Sequence, residues 1–145
     1  MEIDAGNIRL AQEQDLEAIL KCNATSSTQS EERLAQISTG IGSGRCLVWE
    51  NESLVGGFVL SAANSFFGSD FIDLLVVATS MRRLGIGRLL LSAAVQNSEK
   101  QRVWTSTNNS NISMRELLRK EGWKLSGTLT GLDLDDDELV FYFDK

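Results

Sequence analysis

The chain has 145 residues, 42% hydrophobic and 23% charged, which is the composition of a globular protein with one sizeable core. It contains no histidine, which excludes a Ser-His-Asp triad and a histidine-ligated metal site, and we expect no metal. The net charge of −6 argues against nucleic acid as a partner and favours a cationic small molecule or a basic peptide.

Apolar runs, the N-terminal segment and the cysteines indicate the compartment and any membrane association. No apolar run approaches the roughly 20 residues that a membrane helix needs, so no membrane partner is expected. The opening "MEIDAGNIRL" has neither the basic start nor the apolar stretch of a signal peptide. Cys22 and Cys46 are the only cysteines, and we expect reduced thiols and a cytoplasmic location.

Apolar periodicity and turn residues divide the chain into alternating strands and helices. In chain order they predict strand 7–12, helices 15–22 and 30–37, a flexible link at 40–44, strands 45–50 and 54–60, a loop at 64–69, strand 70–77, helix 85–99, strand 102–107, helix 111–123, and strands 124–132 and 138–144. The order βααβββαβαββ predicts one α/β domain over residues 1–145, with a mixed sheet flanked by helices. The strand–helix–strand unit within 70–107 predicts one parallel strand pair.

A glycine-containing turn joins strand 70–77 to helix 85–99 and reads Arg82-Arg83-Leu84-Gly85-Ile86-Gly87. The first amides of a helix lack helical partners and carry partial positive charge, so a phosphate fits there. Glycines let the backbone approach it closely, and arginines add charge. An ordinary strand–helix turn, with glycines for tight packing, explains the same pattern equally well.

The turn resembles the acetyl-CoA signature of the GNAT superfamily of N-acetyltransferases, Arg/Gln-x-x-Gly-x-Gly/Ala. The segment "NISMRELLRKEGW" is similar to a later family pattern, matching at Asn111 and Gly122 and nearly matching at Trp123. It departs at Met114, where the family has alanine, and at Leu118, where it has tyrosine.

The resemblance implies a cosubstrate, acetyl-CoA, and the residues that hold it. The turn would bind the coenzyme A pyrophosphate, and the end of the preceding strand would hydrogen-bond the pantetheine arm, with a further contact from Asn111. The implied residues are Val76, Val77, Ala78, Arg82, Arg83, Leu84, Gly85, Ile86, Gly87, Arg88 and Asn111.

Transfer to an amine needs a proton acceptor, and a carboxylate can serve through water. Asp70 and Asp73 lie on the strand that leads to the turn, and strict alternation puts Asp73 on the face of Leu75 and Val77, with Asp70 opposite. Each is equally a candidate for a strand-end cap or an ion pair. The acidic segment 133–138 is either a solvated hairpin turn or an attraction for a cationic amine.

The resemblance implies an enzyme that transfers acetyl from acetyl-CoA to a primary amine of a small molecule or peptide. The alternative is a non-catalytic acyl-CoA-binding or interaction module on the same fold. Leu118 keeps that alternative open, because leucine cannot protonate the departing thiolate.

Overall fold

The computed structural model describes residues 6–22 and 30–145. Its strands and helices follow one another in the predicted order βααβββαβαββ, which is confirmed. They are β1 (Asn7–Leu10), α1 (Leu16–Cys22), α2 (Glu31–Gly42), β2 (Cys46–Asn51), β3 (Leu54–Phe66), β4 (Ser69–Val77), α3 (Ile86–Asn97), β5 (Arg102–Asn108), α4 (Ile112–Lys120), β6 (Lys124–Asp133) and β7 (Asp136–Asp144). Short 3₁₀ turns at Glu13–Asp15 and Thr79–Met81 precede α1 and follow β4. No helix in these ranges is long and apolar enough to cross a membrane.

The strands form one seven-stranded mixed sheet in the order β1-β2-β3-β4-β5-β7-β6. Neighbouring strands are antiparallel except β4 and β5, which are the predicted parallel pair. This pair is short, because only Asp70–Ile72 of β4 is in register with Val103–Thr105 of β5. Both strands continue beyond the pairing, so the sheet opens between them.

Two apolar layers cover the two faces of the sheet. On one face, α3 buries Ile86, Leu90, Leu91 and Ala94 against β2, β3, β4 and β7, with Leu118 of α4 in the same cluster. On the other face, α1 and α2 pack over the first half of the sheet, around Phe58. The apolar periodicity predicted for α3 matches the side of the helix that is buried.

The glycine run at 40–44 is not the predicted flexible link. Gly40 and Gly42 complete α2, and a Cβ on Gly40 would lie only 2.1 Å from Leu60 Cδ1, so the glycine lets the helix lie directly on β3. Gly44 follows the helix with φ of +72°, the left-handed conformation that commonly ends helices. The run therefore serves close packing and helix termination.

The predicted loop at 64–69 is also shorter than expected. Strand β3 continues to Phe66 and β4 begins at Ser69, leaving a two-residue turn at Phe67 and Gly68. Both turn residues have positive φ, as the tight turns of hairpins require. Phe67 is 95% exposed at the tip of this turn.

Candidate active site

The turn between β4 and α3 has two left-handed residues in quick succession. Arg83 has φ of +64° and Gly85 has φ of +85°, and α3 begins at the next residue, Ile86. Glycine suits the backbone at Gly85, because residues with a Cβ, such as Arg83, are strained in this conformation. Successive N–H groups in a turn that includes left-handed residues can converge on an anion.

The first amides of α3 are not consumed by the fold. Within the described part of the chain, the N–H groups of Ile86, Gly87 and Arg88 donate to no backbone carbonyl, and the first helical bond runs from Leu89 N to Gly85 O at 3.2 Å. Arg82, Arg83 and Arg88 are exposed, and none of them is in an ion pair within the described ranges. An otherwise acidic protein thus has a cationic, donor-rich surface here, which suits a phosphate.

The backbone conformation that favours glycine at Gly85 does not account for Gly87. It is the second residue of α3, and a Cβ there would meet Leu117 Cδ2 at 3.5 Å and Val77 Cγ2 at 3.7 Å, which are ordinary contacts. The fold therefore has room for alanine, although glycine in a helix is less stable by about 1 kcal/mol. Packing within the described part of the protein therefore does not require glycine at this position.

The edge of β4 that faces β5 is open beyond Ile72. The amide of Ala78 donates to Gly56 O at 2.9 Å, so Ala78 faces β3. Because antiparallel residues alternate, Val77 and Leu75 direct their N–H and C=O groups to the open edge, while Val76 faces β3. Arg82 Nε donates to Val77 O at 3.3 Å on this edge. An extended ligand can therefore pair with β4 as a further strand.

A β-bulge at Asp73 changes the face on which the two candidate aspartates lie. Leu60 pairs with Leu74 and Ser61 with Ile72, which leaves Asp73 without a partner in β3. The extra residue reverses the alternation, so Ile72 packs in the same cluster as Leu75 and Val77. The predicted placement of Asp73 on that face was wrong.

Asp73 instead lies on the face covered by α2, near the Gln36 side chain. Burial raises the pKa of Asp73 above its ordinary value, and the polar Gln36 side chain offsets part of this rise. Its carboxylate is therefore poorly solvated and is a better proton acceptor than a free aspartate.

Asp70 lies at the far end of β4, on the α3 face. It is 3% exposed and accepts hydrogen bonds from Ser98 Oγ at 2.6 Å and Asn64 N at 3.1 Å, with Arg45 at 3.6 Å. Burial alone would raise its pKa, but these partners bring the pKa of Asp70 below its ordinary value. Its partners lie on β3, directly after α3 and directly before β2, so its contacts join separate parts of the fold and fit a structural role.

A cavity of about 310 Å³ opens where β4 and β5 part. Asp73 and Ser106 line it, and they are the first residues on each strand after the last paired residues, Ile72 and Thr105. The Thr105 hydroxyl donates to Ile72 O at 2.9 Å and ties the strands together at that point. The other lining residues are Ser65, Phe66, Phe71, Leu129, Leu132, Glu138 and Val140. We call this space the fork cavity.

Glu138 gives the fork cavity a second carboxylate. It is half-buried on β7 and accepts a hydrogen bond from Ser106 Oγ at 2.6 Å, which fixes its position. Neither Ser106 nor Glu138 was predicted as a site residue from the sequence. Glu138 belongs to the acidic segment 133–138, whose charge was the signal for it, whereas nothing in the sequence singles out Ser106.

Two positions of the family pattern have clear structural surroundings. Asn111 precedes α4 and its side-chain oxygen accepts from Met114 N at 3.1 Å, so it caps the helix at its N-terminus. Leu118 is 0% exposed within the core on the α3 face. Among the described residues, no group of three or more acidic or sulfur side chains is placed to hold a metal ion.

Residues 12–123 match the acetyltransferase (GNAT) family, and the chain belongs to that family. It is similar over 97% of its length to a GNAT-family acetyltransferase structure from Bacillus cereus, with 31% identity, a TM-score of 0.88 and 97% of that chain covered. No curated protein sequence matches the chain.

Two more distant structures have the same fold. The yncA protein of Salmonella typhimurium, solved with its cofactor acetyl-CoA, is 18% identical with a TM-score of 0.78, covering 97% of this chain and 94% of that one. Arabidopsis thaliana Naa50, solved with the bisubstrate analogue CoA-Ac-MVNAL, is 16% identical with a TM-score of 0.78, covering 97% and 99%. These likenesses support the fold class predicted from the sequence.

Proposed function

We propose that this protein transfers an acetyl group from acetyl-CoA to the nitrogen of a primary amine. The observation that carries the proposal is the position of the fork cavity. Its two carboxylates lie where the open edge of β4 ends, and the donor-rich turn lies at the other end of that edge.

The residues for acetyl-CoA follow from this arrangement. The amides and arginines of the turn, Arg82–Arg88, would hold the pyrophosphate, and Val77 and Leu75 would pair with the pantetheine arm. From Val77 back to Asp73 is roughly 13 Å at about 3.3 Å per residue. An extended arm lying along this edge therefore delivers its end to the fork cavity. Asn111 would contribute through its side-chain NH₂, because its oxygen caps α4.

Acetyl-CoA would supply an acyl thioester, whose carbonyl carbon is the electrophile. Residues of the chain would stabilise the transition state when the amine attacks this carbon. An amide N–H on the open edge of β4 donates to the carbonyl oxygen and stabilises the negative charge that develops there. The N–C bond then forms as the C–S bond breaks, and the sulfur leaves as a thiolate.

The proton from the amine nitrogen passes to a carboxylate, directly or through water. We assign this role to Asp73, because it adjoins the end of the open edge and burial raises its pKa. Glu138, held by Ser106, would attract and orient the ammonium form. Asp70 has no part in this assignment, since its carboxylate faces the opposite side of the sheet.

No tyrosine is needed as an acid. A thiol has a pKa near 8.5, so its thiolate is a tolerable leaving group at neutral pH. The only tyrosine, Tyr142, packs against Trp104 with ring centroids 5.3 Å apart, on the part of β7 that pairs with the start of β5. Tyr142 therefore lies on the side of Thr105 where β4 and β5 are still paired, and not where they part.

The test is thiol release from acetyl-CoA across a panel of primary amines, with the amide product identified by mass spectrometry. Cys22 and Cys46 are buried, so protein thiols contribute little background to a thiol reagent. Amine-dependent release with a matching amide supports the proposal. Tight acetyl-CoA binding by calorimetry with no amide from any amine would instead establish the non-catalytic acyl-CoA-binding module.

A further inference from the structure

The lining of the fork cavity restricts which amines it can accept, if the proposed function holds. Among the described residues that line it, only Asp73 and Glu138 are charged, and both are acidic. A single ammonium group has two carboxylates to neutralise it here. A carboxylate or phosphate on the acceptor would meet like charge from this lining, so amino acids and phosphorylated amines are poorly matched.

One wall of the cavity is apolar because β6 is irregular. Leu129 pairs with Glu138 and Asp133 with Asp136, so the three residues 130–132 of β6 oppose the single residue Asp137. In a regular strand, Leu129 and Leu132 would point to opposite faces, since they are three residues apart. The irregularity places both against the cavity.

Gly131 makes this arrangement possible. It has φ of +89°, and a Cβ there would meet nothing within 4 Å, so the glycine is present for its backbone conformation and not for space. Leu132 remains 64% exposed and Leu129 48% exposed, although both line the cavity. Two large apolar side chains are thus held at the mouth of an acidic site without a partner of their own in the described part of the chain.

The opposite wall is aromatic. Phe66 and Phe71 line the cavity with ring centroids 5.2 Å apart, and Phe66 also lies 5.2 Å from Trp104. These rings are tilted by 42° and 48° to one another and form a packed aromatic surface. Val140 completes the apolar lining from β7.

We infer that the acceptor is a monoamine with an apolar body: an ammonium group between Asp73 and Glu138, attached to an alkyl or aryl group that packs against Leu129, Leu132, Phe66 and Phe71. A second ammonium on the same molecule would have to leave water and lie against these side chains, which is costly. The inference therefore separates apolar monoamines from diamines, polyamines and amino sugars.

A homologous series gives the sharpest test. Unbranched alkylamines from propylamine to hexylamine should gain about fourfold in kcat/KM per methylene, as expected when each buried CH₂ leaves water. Diaminoalkanes of the same length, in which a second ammonium replaces the terminal methyl group, should be at least tenfold poorer than their monoamine partners. A peptide amide with an N-terminal leucine also has one ammonium group beside an apolar side chain. Its rate relative to hexylamine shows whether a peptide or a free amine is the better acceptor. Diamines that equal or exceed the monoamines would overturn the inference while leaving acetyl transfer intact.

Matched variants locate the effect. Leu132→Ser should remove most of the gain with chain length, whereas Leu134→Ser should not, because Leu134 is 92% exposed at the hairpin tip and does not line the cavity. Equal effects of the two substitutions would contradict the assigned wall.

Direct binding separates this inference from the proposed function. Hexylamine binding to the protein alone, followed by ligand-observed NMR, requires neither acetyl-CoA nor turnover. We expect saturable binding that Leu132→Ser weakens and Leu134→Ser does not. If hexylamine binds in this way but no amine is acetylated, the proposed function fails and the inferred site stands. If hexylamine binds no better than its diamine counterpart, the inference fails.

Discussion

Replacing Gly87 with alanine tests what the fold needs, and replacing it with glutamate tests what a ligand needs. The added Cβ would lie 3.5 Å from Leu117 Cδ2 and 3.7 Å from Val77 Cγ2, so it fits without a clash. Alanine is more favourable than glycine in a helix by up to about 1 kcal/mol. For a chain of this length, that gain corresponds to a rise in Tm of about 2–4 °C.

A larger, anionic side chain should weaken acetyl-CoA binding, whereas alanine, which the family signature also has at this position, should not. Gly87→Glu places a carboxylate beside the first amides of α3, where the phosphate is expected. We expect the Kd for acetyl-CoA to rise about tenfold or more in Gly87→Glu, which corresponds to about 1.4 kcal/mol. In Gly87→Ala the Kd should stay within about threefold of wild type.

Thermal unfolding of the free protein and calorimetric titration with acetyl-CoA measure the two effects separately. Gly42→Ala is the control, because Gly42 also lies in a helix and a Cβ there would meet nothing within 4 Å. It should raise Tm by a similar amount and leave the Kd unchanged. If Gly87→Ala lowers Tm, the glycine serves the fold. If Gly87→Glu folds and binds acetyl-CoA with an unchanged Kd, the phosphate does not lie beside Gly87.

Three further predictions concern charge and proton transfer. Asp73→Asn should lower kcat/KM by about 10²–10⁴-fold, the contribution typical of a positioned base. It should not lower Tm at pH 7. Burial raises the pKa of Asp73, so the stability of the folded protein falls as pH rises through that pKa and the carboxylate ionises. A fall in Tm, or a rate within tenfold of wild type, would count against the assignment. Tyr142→Phe should change kcat less than about threefold, and a loss of 10²-fold or more would make Tyr142 the acid. The Arg9 hydrogen bonds hold the pKa of Asp15 below its ordinary value, so the stability from this ion pair should be complete above about pH 5 and be lost as pH falls below about 4. Asp15→Asn should therefore cost about 1–3 kcal/mol at pH 7 and much less at pH 3, measured by denaturant unfolding.

Local patterns made much of this structure predictable. The spacing of apolar residues in α3 identifies its buried side, and the glycines of the turn mark the start of the helix. Gly85 could be assigned to a backbone requirement only once its φ was known. The sequence shows that a glycine is present, but not whether packing requires it: a Cβ would clash with Leu60 at Gly40, whereas it fits at Gly87.

The rest depends on strand register, which is not local. The bulge at Asp73 arises from how β3 and β4 pair, and one extra residue turns its side chain to the other face of the sheet. Glu138 reaches Ser106 across 32 residues of sequence because β5 and β7 are neighbours. Neither the bulge nor the hydrogen bond produces a periodic pattern in the sequence, so the residues that line the fork cavity can be identified only from the folded sheet.

The most direct test of the proposed site is to follow backbone amide signals by NMR while acetyl-CoA is added. The amides from Arg82 to Arg88 would be the phosphate donors, and those of Leu75 and Val77 lie on the open edge of β4. Their signals should therefore shift most, with Asp73 and Ser106 affected at the acetyl end. A second cavity, lined by Leu91, Trp123 and Phe143 on the α3 face, provides the comparison. If the largest changes fall there, and the amides of the turn are unmoved at saturation, acetyl-CoA does not bind where this account places it.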